Sequence, residues 1–269
     1  MTSSRVGEEW RPYFQAAELS WCIPDQIDAN SFLRHAKSEW ITRMLHHTHQ
    51  SPSAGTRVLE AGCGTAMYAL TLAAMGFSVD AFDYNAEALV FARKLETKAR
   101  QVNPGLQIQI QRGDLLHVDA PSNRYDLVFN QAVLDYFCDE AERRQALAEM
   151  VRVTRPGGWV AVIVQHTGHP FLGLWERMGW RGYTEQPPVA LQTPARLARE
   201  LRDAGLANVI VDGIYPWKAF FFYPEWYRRW KLAENAVYIL GRALDRMIPL
   251  PRSLRSQLAI QFLAVGHKP

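Results

Sequence analysis

The densest group of residues able to do chemistry lies between positions 58 and 83. ValLeuGluAlaGlyCysGlyThrAlaMet (58–67) sets Gly62 and Gly64 directly after an apolar run, and Asp83 follows Gly64 by 19 residues. Glycine allows a sharp turn and lets a ligand lie against the main chain. A carboxylate ending the next strand is placed to take both hydroxyls of a ribose. Together they point to a nucleoside-bearing ligand. Two departures from the dinucleotide fingerprint narrow its type. A third glycine would fall where this chain has Met67, and Glu60 stands just before the turn. A carboxylate there repels a pyrophosphate and welcomes an ammonium or sulfonium. Both departures favour S-adenosyl-L-methionine over NAD.

Further candidates lie downstream. Asn130 ends an apolar run, Asp135 and Tyr136 follow it, and His166 and His169 come directly after another. Ligands bind at the carboxyl ends of such strands. A histidine there can deprotonate a hydroxyl near neutral pH; the alternative is a loop histidine with no catalytic part. Cys63 could be read as a nucleophile, but a small residue in a tight loop is the simpler reading. His46, His47 and His49 form an HHxH cluster without a Cys or acid nearby to complete a ligand set. They read as a solvated helix end, where His suits the dipole, and no metal is expected.

The elements that must position these residues can be read from periodicity. Strands are expected at 57–61, 78–83, 107–111, 125–130, 159–165, 208–213 and 259–266, with 155–158 (ArgProGlyGly) as a turn. Helices are expected from Asn30 or Ser31 to about His47, from the glycine turn to about Ala74, and at 85–95, 139–152 and 193–205. The last has Pro194 just inside its start and Gly205 at its end. Strands alternating with helices predict an α/β fold whose doubly wound, mostly parallel sheet is covered on both faces.

In this order the segments resemble the class I S-adenosylmethionine-dependent methyltransferases, of the type acting on small molecules. GluAlaGlyCysGlyThr (60–65) looks like the family's motif I. Asp83 matches the ribose-binding acid, GlyAspLeuLeu (113–116) the adenine loop, TyrAspLeuValPheAsnGlnAlaValLeuAspTyrPhe (125–137) motif IV, and 152–162 the helix, turn and fifth strand that follow. The likeness covers about residues 55–165 and extends more weakly to the last two strands. It implies a seven-stranded sheet, S-adenosyl-L-methionine as cofactor, and in-line methyl transfer to a small acceptor that could be hydrophobic. It implies cofactor contacts from Glu60, Ala61, Gly62, Cys63, Gly64, Asp83, Tyr84, Asp114, Leu115 and Asn130, with His166 and Asp135 as candidates for catalysis. Tyr13 lies in an N-terminal segment of the kind the family uses as a lid. AsnGlnAlaVal at 130–133 departs from the Asn-Pro-Pro-Tyr of enzymes that methylate base or glutamine amines. It also lacks the Asp-rich amine site of aminopropyltransferases, which stay the second enzyme reading. A catalytically silent S-adenosylmethionine-binding scaffold is the non-enzyme alternative.

Composition sets the outer bounds. With 269 residues, 48% hydrophobic, and a net charge of +3, the chain is neither disordered nor basic enough to imply nucleic acid. No run is long enough to span a bilayer and no secretory signal is expected from MetThrSerSerArg onward. Three cysteines without pairing pattern suit a reducing, cytoplasmic compartment. The charge is unevenly spread: residues 215–255 carry eight Lys+Arg against three Asp+Glu, and eight aromatics fall between Trp217 and Trp230. That stretch reads as a helical insertion before the last strand. It could pack on the sheet, form a substrate lid, or meet a membrane surface peripherally. The expected organisation is a helical cap (1–54), a cofactor-binding core (55–214), the aromatic and basic insertion (215–256) and the last strand (257–269).

Overall fold

The computed structural model describes residues 9–10, 38–53, 55–177, 189–217, 240–241, 243–245 and 247–269. The first described helix, α1 (Glu39–Thr48), precedes β1 (Arg57–Ala61), α2 (Met67–Met75), β2 (Ser78–Asp83), α3 (Ala86–Val102) and β3 (Ile108–Arg112). Then come β4 (Tyr125–Gln131), a 3₁₀ turn (Leu134–Tyr136), α4 (Glu140–Val153), β5 (Thr154–Gln165) and α5 (Leu172–Arg177). The chain closes with α6 (Pro194–Asp203), β6 (Ala207–Ile214), α7 (Arg252–Leu258) and β7 (Gln261–His267).

The strands form one sheet in the order β3-β2-β1-β4-β5-β7-β6. β3, β2, β1, β4 and β5 pair in parallel, and β7 runs antiparallel between β5 and β6. The strand order therefore reverses between β1 and β4. Loops leaving two such strands diverge to opposite faces and open a crevice at their carboxyl ends.

Side chains alternate across each strand, so successive residues enter different cores. Val58, Phe129, Ile163 and Val265 pack with Trp40 and Met44 of α1 and Leu70 of α2. Leu59, Val128, Val162 and Phe262 pack with Met150 of α4 and Leu197 of α6. The helix starts are locally encoded. Asp139 accepts the Ala141 and Glu142 N–H groups ahead of α4, and Thr193 accepts that of Arg196 ahead of Pro194. Each such cap contributes about 1 kcal/mol. Gly213 on β6 lies so close to α7 that a Cβ there would sit 2.1 Å from the Arg255 carbonyl oxygen.

Several boundaries differ from the sequence reading. ArgProGlyGly (155–158) is not a turn before β5 but an excursion within it. Tyr125 pairs with Thr154 and Leu127 with Trp159, and Gly157 takes φ +76° at the bulge. α3 runs seven residues beyond the expected end, because Leu95 and Ala99 continue its buried stripe under a charged outer face. The expected cap at Asn30 or Ser31, the lid residue Tyr13 and the aromatic block Phe220–Trp230 lie outside the described residues. Among those described, no helix is long and apolar enough to cross a membrane.

Candidate functional site

Five segments meet at the carboxyl edge of β1, β2 and β4. Gly62 (φ +80°) and Gly64 (φ +52°) turn the chain out of β1, and Ala66 (φ +57°) turns it into α2. The Gly62 and Cys63 N–H groups both donate to the Phe82 carbonyl, at 2.9 and 2.8 Å, pinning this loop to the end of β2. The loop after β4 lies over it. A Cβ on Gly62 would stand 2.7 Å from Cγ2 of Val133, so the position has neither the backbone freedom nor the space for another residue.

Asp83 is the hub. Its Oδ2 accepts from Gly64 N–H at 2.7 Å and its Oδ1 from Asn85 N–H at 2.8 Å. Burial raises its pKa above the usual carboxylate value, while those N–H groups pull the other way. Each carboxylate oxygen keeps a lone pair for a further donor. The Asp83 carbonyl accepts from Gly113 N–H at 3.0 Å, which brings the loop after β3 alongside. There Asp114 turns back on itself, its Oδ1 accepting from Leu116 N–H, and Leu115 is buried. Tyr84 is stiffened by Arg112, whose Nε donates to its carbonyl and whose guanidinium lies 5.6 Å from its ring centroid.

Glu60, expected among the cofactor contacts, serves the fold at the start of α2. Fully buried, it accepts Ala69 N–H at 2.7 Å, closing the first turn of α2, which has no side-chain cap of its own. Burial drives its pKa well up. Ala61 is paired with Phe82 in the sheet. Cys63 is buried, its thiol pushed up by desolvation and by the charge of Asp83, which does not suit a nucleophile. Asn130 is fully buried on the opposite sheet face from Glu60, with Nδ2 on Met150 Sδ at 3.3 Å and Oδ1 unpaired.

Asp135 and His166 stand in different surroundings. Asp135 is completely buried in the 3₁₀ turn, with Oδ2 accepting Gln165 N–H at 3.3 Å and Oδ1 unpaired. Burial lifts its pKa from 3.8 to about 7, against the pull of the Gln165 N–H and Arg143. His166, read as either a general base or a loop histidine with no catalytic part, is 1% exposed. Its Nδ1 donates to the Ala259 carbonyl at 3.0 Å, and burial pulls its pKa from 6.5 down to about 4. His169 is fastened in the same way, its Nε2 donating to the Leu258 carbonyl at 2.9 Å. The two rings latch the exit of β5 to the joint between α7 and β7. His47, read as part of a solvated helix end, is instead buried on Asp212 at 2.8 Å.

Two residues of this region were missed in the sequence. Trp10 stands edge-on to Tyr136, centroids 4.8 Å apart, and, like Phe91, packs against Ala88. It thus reaches from the loop after β4 to α3, across the carboxyl edge of the sheet. Arg143 is buried and donates to the Leu134 carbonyl, Gln192 and Glu200, so it holds the turn carrying Asp135. Its partners lie up to 57 residues away, beyond any local signal.

Residues 59–162 match a family described as "Methyltransferase domain". A malonyl-[acyl-carrier protein] O-methyltransferase of Pectobacterium atrosepticum is 32% identical over 108 residues, covering 40% of this chain and 38% of that protein. A ubiquinone biosynthesis O-methyltransferase of Albidiferax ferrireducens is 33% identical over 152 residues, 56% of each chain. The chain thus spans roughly two-fifths to just over half the length of these two relatives. Among solved structures, the [4+2]-cyclase SpnF superposes with a TM-score of 0.63 at 16% identity, covering 100% of this chain and 96% of that one.

Proposed function

We propose that the chain is a class I, S-adenosyl-L-methionine-dependent methyltransferase and that it methylates an oxygen of a small acceptor with a hydrophobic body. The observation that carries the reading is Asp83 joined to the Gly62–Gly64 loop at the point where the strand order reverses. The fold alone would not suffice, since a [4+2]-cyclase shares it.

The residues present fit the cofactor. A turn whose glycines take left-handed backbone lies beside the half-buried Asp83 carboxylate, which has lone pairs to spare. Asp83 would take the ribose hydroxyls, Asp114 and Leu115 would bracket the adenine with Tyr84 at its side, and the Gly62–Gly64 main chain would line the methionine portion. Glu60 contributes by holding the start of α2. When bound, S-adenosyl-L-methionine supplies an electrophilic methyl group on a sulfonium.

This chain's own residues would then orient the acceptor, exclude water and remove a proton. Positioning of this kind can be worth about 7–11 kcal/mol. Trp10, seated on the buried Tyr136, offers apolar surface over the carboxyl edge. For the proton, Asp135 is the better candidate. Its Oδ1 is unpaired and its pKa near 7 suits a general base at neutral pH. His166 is disfavoured, being committed to Ala259 through Nδ1 and only weakly basic. Both relatives are named as O-methyltransferases, which supports an oxygen nucleophile.

The test is incubation with methyl-labelled S-adenosyl-L-methionine and a panel of phenolic, enolic and carboxylic small molecules. Label appearing in an O-methyl product supports the proposal. Cofactor binding with no transfer to any member, or to extracts of the source cells, would indicate a silent binding protein instead.

A further inference from the structure

Away from the β1–β4 edge, one cavity is built largely from charge. It lies where α1, α7 and the edge strand β6 meet, holds about 310 Å³, and is lined by Arg43, His46, His47, Asp212, Arg252 and Arg255 among others. Four strand spacings separate β6 from β1, so the groove stands about 19 Å from the candidate cofactor loop at ~4.8 Å per strand. It is a separate place, and its case does not depend on the proposed activity.

Among the described residues Asp212 is the one acid lining it, 1% exposed and with both oxygens engaged. Oδ2 takes His47 Nε2 at 2.8 Å and Arg43 Nη1 at 3.1 Å, and Oδ1 takes Arg255 Nε at 2.6 Å. Arg43 is equally committed, through Nε to Glu39 and Nη2 to Asp245. The carboxylate of the lining is thus saturated. What is left over is donor capacity. Among the described residues, neither the Arg252 guanidinium nor the terminal nitrogens of Arg255 has an acceptor, and His46 presents an exposed imidazole. Arg252 and Arg255 are three apart on α7 and so share a face, with His46 facing them from α1. The buried ion pairs fix the floor, and the spare donors stand on the walls.

A ligand for such a groove must be an acceptor with negative charge. A carboxylate has two oxygens, whereas a phosphate offers three to donors arriving from two elements. We propose that this groove is a second binding site, taking the phosphate group of a small phosphomonoester or free phosphate, held by Arg252 and Arg255 with His46 beside them.

Calorimetric titration of the full chain with inorganic phosphate and with glycerol 3-phosphate, at ionic strength balanced by sodium chloride, tests it. Saturable binding is expected, weakened about tenfold or more by Arg252→Ala, the loss of one charge-assisted contact. His46→Ala should weaken it as well, and Arg202→Ala, on the exposed face of α6, should leave it unchanged. Both arginines are exposed, so neither substitution should disturb the fold. Tighter binding of glycerol 3-phosphate would assign the site to an organic monoester, and equal binding to phosphate itself. No saturable heat with either probe, or isotherms for Arg252→Ala matching the wild type, would overturn the proposal.

Discussion

Replacing Asp135 by Asn should make the protein more stable above neutral pH and much less active. The Asp135 carboxyl rises from 3.8 to about 7 on folding, chiefly because it is buried. A raised carboxyl pKa means the folded state binds the proton more tightly than the unfolded one. Its stabilising contribution is complete below the unfolded value and is lost as pH climbs through the folded one. The loss runs at about 1.4 kcal/mol per pH unit and totals roughly 4 kcal/mol between about pH 4 and pH 7. Asn has the shape of the protonated acid, can accept from Gln165 N–H, and does not titrate. The stability difference between variant and wild type should therefore be near zero at about pH 3 and approach its full value by about pH 8. Guanidinium unfolding followed by tryptophan fluorescence across that range measures it, and turnover of the same samples should fall with the loss of the base. Stability curves that run parallel at every pH would refute both the buried protonation and the reasoning that makes Asp135 a base.

Other expectations follow from the same geometry. Gly62→Ala forces a left-handed backbone on a side chain, costing about 1–2 kcal/mol before its clash with Val133; denaturant melts should show the loss, and S-adenosylhomocysteine binding should weaken at least tenfold. Trp10→Ala should raise KM more than it lowers kcat with little change in Tm, because the ring covers the carboxyl edge without entering the main cores; unchanged kinetics would remove it as a cover. His166→Ala should lower stability by leaving the Ala259 carbonyl without its donor, yet keep turnover per folded molecule within about threefold of wild type, since removing a single buried partner costs about 1–3 kcal/mol. In the wild type this histidine also makes stability fall as pH drops from 6.5 towards about 4, because its folded pKa is depressed by burial.

The parts legible in the sequence were those encoded locally. β1 and β2 were placed to the residue, since short apolar runs ended by Gly or Asp leave little choice of boundary. The placing of Asp83 at the end of the strand beside the glycine turn was legible too, because adjacent parallel strands carry their carboxyl ends to one edge. Long-range burial was not legible. His166 looks like a loop residue until Ala259 and Phe262, more than 90 positions on, close over it. His47 reads as a helix-end histidine until β6 brings Asp212 from 165 residues away. ArgProGlyGly carries every mark of a turn, and only its pairing with β4 and the contact of Gly157 with Lys268 reveals it as a bulge inside a strand. Asp135 is similar: nothing local in its surroundings announces that its carboxylate will be enclosed.

The measurement closest to the central claim is a calorimetric titration of S-adenosylhomocysteine into the wild-type protein and Asp83→Ala. Asp83 joins the β1 loop to the end of β2 and keeps lone pairs for a ribose. One-to-one saturable binding by the wild type, at least tenfold weaker in a folded Asp83→Ala variant, is the predicted result. No binding by the wild type, or equal affinity in the two proteins, would contradict the account.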